Sequence, residues 1–270
     1  MDIRAVGQPI TASQRHSYAE TPDSSFYQTF QSAFAAAKVV ADGGATGPQA
    51  AAGQAGPTSS EALEAILGRT HAELSALRDV GADSQAVYAG VLNKAYGSGA
   101  MGNARQFLGS LSAEELEAVR RNHCLAEPIN VAAISEEGAR NLLLPEGFSV
   151  DLNGDGFEEV GAALTAHFPP DDAPAAVREA WFQATAAMPD GDAMTYGLMM
   201  HDAVYGLRID GHNTPSPYKA DDMDSYRQIV SNFLAALEAQ RGFISSEQYA
   251  RDKDFFTRLG ALLAQGSSGA

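Results

Sequence analysis

Oxygen-bearing side chains recur at alternate positions in one short stretch, Asp151-Leu152-Asn153-Gly154-Asp155-Gly156-Phe157-Glu158-Glu159. A hard cation such as Ca2+ takes roughly six to eight oxygens at 2.3–2.6 Å, so a chain that wraps one needs donors at every second residue and a glycine where it turns. Counted from Asp151, the donors at positions 1, 3 and 5 are Asp151, Asn153 and Asp155, and position 6 is Gly156. Phe157 at position 7 offers its backbone carbonyl, and Glu159 at position 9 offers a carboxylate, directly or through water. The carboxylates of Asp151, Asp155 and Glu159 repel one another in an empty loop, and a divalent cation removes that repulsion. Mg2+ fits less well, because it demands near-octahedral geometry and keeps its waters. The rival reading is a surface turn that uses Asp, Asn and Gly only for their turn chemistry.

The D-x-N-x-D-G core resembles the first half of the EF-hand calcium loop, and it is similar to the loops of dockerin modules and integrin-type β-propeller repeats. The resemblance covers about nine to twelve residues and implies a Ca2+ site, not a fold or a whole-chain family. Two positions depart from the EF-hand pattern: position 12, a bidentate Glu there, is Ala162, and position 8, usually aliphatic, is Glu158. The propeller-type loop carries an acidic ligand at position 9, as Glu159 would be, but that fold needs several strand-rich blades and this chain has one copy. A second loop is not found. Gly242 to Gln248 has the shape of a second half, but Leu237, Ala239 and Arg241 stand where its first ligands belong. It reads as a glycine helix stop followed by a Ser245/Gln248 capping box, and Gly109-Ser110-Leu111-Ser112 with Glu115 reads the same way.

Other chemistry-bearing groups are less specific. His201, Asp202, Asp210 and His212 lie close in sequence, but neither H-E-x-x-H nor an i, i+4 histidine pair is present to define a zinc site. His123 and Cys124 are adjacent, and neighbours on a helix point about 100° apart, so a Cys–His nucleophile is not supported; a packed free thiol is the plainer expectation. The glycines of YGSGAMGN lack the GK[ST] of a phosphate loop. Residues 210–222, with Pro215 and Pro217, read as an exposed loop.

The elements that must hold the calcium-type loop are helical. Leu63, Ile66, Leu67, Leu74 and Leu77 form one stripe with a stop near Gly81; Asp83 caps the next segment, which carries Val87 and Val91. Ser112 with Glu115 opens a helix bearing Leu116 and Val119, and Ser135 caps another that ends before Pro145. Val177, Trp181, Ala184 and Met188 share a face, as do Tyr226, Ile229, Val230, Phe233, Leu234 and Leu237, and Ser245 opens a helix with Phe255, Phe256, Leu259, Leu262 and Leu263. No sustained period-2 run occurs, and only Phe148 to Leu152 looks briefly extended. The expected fold is all-α: a multi-helix globular domain over 60–265 with one calcium-type loop, whose cation fixes the start of a following helix. An N-terminal segment, 1–59, precedes it, with a short amphipathic helix and a Gly/Ala/Pro/Gln linker at 43–59; residues 266–270 form a disordered tail. Phe26, Phe30 and Phe34 put three rings on one face of that first helix, to dock on the body or to meet a protein partner.

Charge bounds the partners. Lys and Arg number 18 against 34 Asp and Glu, a net charge of −16, which disfavours nucleic acid and anionic membranes. Ten acids and one base, Arg178, fall between Glu146 and Asp192, so the acidity concentrates around the loop. A single cysteine forms no intrachain disulfide, no apolar run is long enough to span a membrane, and the first residues lack a Sec-type signal. These features read as a soluble protein, cytoplasmic or exported without such a signal. The functional expectation is a calcium-binding protein with a structural or regulatory, non-enzymatic role. The alternatives are a helical interaction or scaffold protein in which the loop is only a turn, and a hydrolase using an acidic cleft.

Overall fold

The computed structural model of the chain describes residues 21–43, 59–166, 168–209 and 212–266. Among these residues 63% are helical, in eleven helices, and two small antiparallel hairpins complete the fold. The architecture is therefore mostly helical, and strict all-α is corrected by the hairpins. The chain divides into two compact units, one over 17–165 and the other including 166–270; the helical run that the sequence presents over 60–265 is shared between them.

The first unit contains α1 (Ser24–Gly43), α2 (Ser60–Leu67), α3 (Arg69–Leu77), α4 (Ala82–Ser98), α5 (Ala104–Leu108), α6 (Ala113–Asn122) and α7 (Glu136–Asn141), then a hairpin of β1 (Phe157–Val160) and β2 (Ala163–Ala166). Side-chain caps start several of these helices where the sequence places them. Ser112 and Glu115 close both halves of a capping box and Ser135 accepts from the Gly138 amide, while Ser59, at the end of the expected linker, adds a cap by accepting from the Ala62 amide. The core is built around α4, whose Tyr88, Ala89, Val91, Leu92 and Ala95 are almost fully buried. α1 docks on α2 and α4, burying Phe30 and Phe34 in this core, with Phe30 edge-on to Tyr96 at 4.8 Å. Most of the Gly/Ala/Pro/Gln linker, 44–58, lies outside the described residues, as do residues 1–20 and 267–270.

Several local expectations change here. Gly68, at φ +90, divides the expected Leu63–Leu77 stripe into α2 and α3, so the buried face of α3 is His71 and Ser75 while Leu77 stands in solvent. Asp83 lies inside the first turn of α4, and Gly81, expected to stop the preceding helix, is its N-cap. Cys124 falls just beyond α6 at φ +50 and is exposed, not packed.

The second unit contains α8 (Ala175–Thr185), α9 (Asp190–Tyr205), the hairpin of β3 (Gly206–Ile209) and β4 (His212–Pro215), α10 (Met223–Gln240) and α11 (Ser246–Gln265). Its core joins Trp181, Tyr196, Met200, Tyr226, Phe255 and Phe256, packed edge-on and stacked. β4 corrects the expected 210–222 loop: Gly206 pairs with Pro215 and Ile209 with His212. Gly206 permits the pairing, because it sits at φ +93 and a Cβ there would lie 2.1 Å from the Thr214 carbonyl oxygen. No helix among the described residues is long and apolar enough to cross a membrane.

Candidate functional site

The calcium-type loop leaves α7 through 142–150 and ends in β1. Its backbone folds around Asp151. Asp151 Oδ1 accepts from the amides of Gly154 (2.7 Å) and Asp155 (3.3 Å), and Oδ2 accepts from Gly156 (2.8 Å). Asn153 Oδ1 accepts from the Asp155 amide at 2.8 Å, and Asp155 Oδ1 from the Phe157 amide at 3.0 Å. The turn needs left-handed backbone at Gly154 (φ +67) and Gly156 (φ +77), the two positions where glycine stands. The alternation of oxygen carriers thus serves the backbone: residues 1, 3 and 5 each hold an amide of the loop.

Residues outside the motif fasten this loop to α7. The buried Glu137 accepts from the Leu152 amide through Oε2 (2.8 Å) and from the Glu159 amide through Oε1 (3.1 Å). Burial first, then the neighbouring charges of Asp151 and Glu159, push its pKa up, while the two amides pull it down. Asn141 donates to the carbonyls of Val150 (2.9 Å) and Glu159 (2.8 Å) and accepts from the Val150 amide at 2.8 Å. The Gly161 amide donates to the Gly138 carbonyl at 2.9 Å. Nothing in the motif announces Glu137 or Asn141, since both precede it in a helix whose sequence shows only a Ser135 cap.

Placement of the expected ligands is mixed. Asp151, Asn153 and Asp155 each accept from amides of the same turn. Phe157 opens β1, and the Glu159 carboxylate accepts from the Ser135 hydroxyl of the α7 cap. Glu158 at position 8 accepts from the buried Ser149 hydroxyl at 2.6 Å. Ala162, at position 12, lies in the turn between β1 and β2. No helix follows the loop, which corrects the expectation that a cation fixes the start of one; the chain reverses there into a hairpin instead. Among the described residues no group of three or more His, Cys, Asp or Glu side chains converges to hold a metal ion. His201 is fully buried with Nδ1 3.3 Å from Asp202, while Asp210 lies outside the described residues.

A buried polar network in the same unit escaped sequence reading. The Glu146 amide donates to His71 Nδ1 (3.2 Å), so His71 carries its proton on Nε2, 3.0 Å from Asn122 Oδ1. Asn122 in turn donates to the Ala118 carbonyl at 2.8 Å. The Tyr88 hydroxyl lies 2.6 Å from the Leu144 carbonyl and 2.9 Å from His123 Nε2. Burial holds the Tyr88 hydroxyl well above the usual phenol range and pushes both histidines down, His71 to about 4.

No protein family, characterised protein or solved structure matches the chain.

Proposed function

We propose that the protein is a mostly helical Ca2+-binding protein in which the loop from Asp151 to Glu159 holds one ion in a structural or regulatory, non-enzymatic role. The observation that carries this reading is the set of Asp151, Asn153 and Asp155 oxygens on one glycine-shaped turn, with the Phe157 carbonyl and the Glu159 carboxylate next along the chain. An ionised carboxylate offers about four lone-pair positions. Asp151 gives three of them to amides, which leaves one for a cation. Glu159 must turn from Ser135 to complete the shell. Because Glu137 and Asn141 anchor the same loop to α7, an ion there would tie the β1–β2 hairpin more firmly to the helix.

Calorimetric titration of Ca2+ into chelator-treated protein tests the proposal. Saturable binding is expected, lost in Asp151→Ala and Asp155→Ala, with a Ca2+-dependent rise in Tm; saturation at 100-fold over Kd stabilises by about 2.7 kcal/mol. Absence of both heat and thermal shift at millimolar Ca2+ overturns it.

The second reading is a helical interaction or scaffold protein with the loop as a turn. Its support is that Asp151 and Glu159 already have protein partners and that among the described residues no three acidic side chains converge on a metal-sized space. Phe30 and Phe34 lie in the core, so a partner using the face of α1 would have to displace them. For the acidic-cleft hydrolase, Asp192 and Asp252 do line one cleft, but Tyr196 and Arg251 hold Asp252, an arrangement suited to fixing a charge more than to relaying a proton.

A further inference from the structure

In the second unit α9, α10 and α11 leave between them an open cleft of about 290 Å³. That is the size of a small fragment, just under the usual range for drug-sized ligands, roughly 300–1,000 Å³. Its apolar lining is Met199 of α9, Phe233 and Leu237 of α10, and Phe256 of α11, with Ile244 from the connection before α11; Thr195, Gln240 and Gln248 add polar groups. Phe233 and Phe256 stack with centroids 4.7 Å apart, and Phe256 is fully buried. Asp252, buried, also lines it, with Oδ1 accepting from the Tyr196 hydroxyl at 2.6 Å and lying 3.5 Å from Arg251 Nε. Both partners bear on Oδ1. Burial first, then the hydrogen bond to Asp252, push the Tyr196 hydroxyl up to about 12, so it remains a donor to Asp252 across the physiological range. Asp192, in the first turn of α9 and half-buried, lines the cleft as well.

We propose that this cleft binds a small organic cation, an ammonium or amidinium group on an apolar body about the size of one ring. The cleft holds two carboxylates against one guanidinium, and that guanidinium, half-exposed, is engaged by Tyr196 and Asp252. A cationic head therefore gains a charge-assisted hydrogen bond to Asp252 and attraction to Asp192. An anionic head meets two like charges. The apolar body fits against Met199, Leu237 and the Phe233–Phe256 stack. The surrounding unit favours the same sign, with fourteen Asp and Glu against eight Lys and Arg over 166–270. The proposal is independent of the calcium reading, whose residues all belong to the first unit.

The test is an NMR titration of the full chain with three probes of one shape: phenethylammonium, 2-phenylethanol and 3-phenylpropionate. Saturable, millimolar binding of phenethylammonium is expected, with amide shifts confined to α9, α10 and α11, weaker binding of the alcohol and none of the acid. Asp252→Asn keeps an acceptor for Tyr196 and should weaken the ammonium probe by about tenfold. Asp192→Asn should weaken it less and leave Tm unchanged, which keeps the test open should Asp252→Asn fail to fold. The proposal is overturned by no saturable shift, by equal binding of acid and ammonium, or by ammonium affinity unchanged in the folded variants.

Discussion

His71 shows how one side chain sets a condition for the whole first unit. Its Nδ1 accepts the Glu146 amide and its Nε2 faces Asn122, so the neutral ring satisfies both neighbours and a second proton would set two donors against each other at Nδ1. The ring stacks on Tyr88, with His123, Arg78 and Glu146 the charged or titratable groups near it. A folded-state pKa of about 4 against an ordinary 6.5 means the unfolded chain binds the extra proton first. This contribution to stability is complete above pH 6.5 and is lost as pH falls toward 4. The loss amounts to about 3 kcal/mol for this one group. Denaturant unfolding followed by far-UV circular dichroism from pH 7 to 4 should show it, and His71→Gln should be less stable at pH 7 yet flatter with pH. An acid slope as steep in that variant as in the parent would assign the loss to other groups.

At the scale of elements, the contact between α7 and the β1–β2 hairpin turn is the tightest in the loop's surroundings. A Cβ on Gly138 would lie 2.2 Å from the Gly161 carbonyl oxygen, which is backbone and cannot rotate away. Gly138→Ala should therefore destabilise by about 1–3 kcal/mol, against the alanine's helix-propensity gain of up to 1 kcal/mol, read as a fall in the denaturation midpoint. Stability equal to or above the parent's would show that the hairpin yields. Capping was largely legible in advance because it is local: Ser112 with Glu115, Ser135 and Ser245 all act on amides three residues ahead or fewer, whereas the Ser59 cap, at the end of the expected linker, was not read. The hairpins were not, because four-residue strands give too few alternations to set a period and their pairing depends on glycines at positive φ, Gly161 and Gly206. Glu137 and Asn141 escaped for a related reason. Their partners lie between 9 and 22 residues away, and no spacing rule links a helix residue to the amides of a later loop.

For the whole molecule, two separate cores imply two cooperative blocks. Trp181 is the single tryptophan and is buried in the second core, so its fluorescence reports that unit alone. Gly138→Ala, and Ca2+ if the loop binds it, should shift the circular dichroism melt while the tryptophan transition stays in place. Coincident shifts of both probes would show that the units unfold as one. The division between what was foreseeable and what was not follows distance along the chain. Composition and period determined a largely helical protein, a concentration of acid around 146–192, and one turn with oxygen at alternate positions, since these depend on residues near one another. Only tertiary structure decided that α1 buries Phe30 and Phe34, that a hairpin follows the loop, that Glu137 lies beneath it, and that three helices enclose Asp252 in a cleft. Those outcomes rest on packing between segments far apart in sequence, where burial and hydrogen-bond satisfaction override local preference.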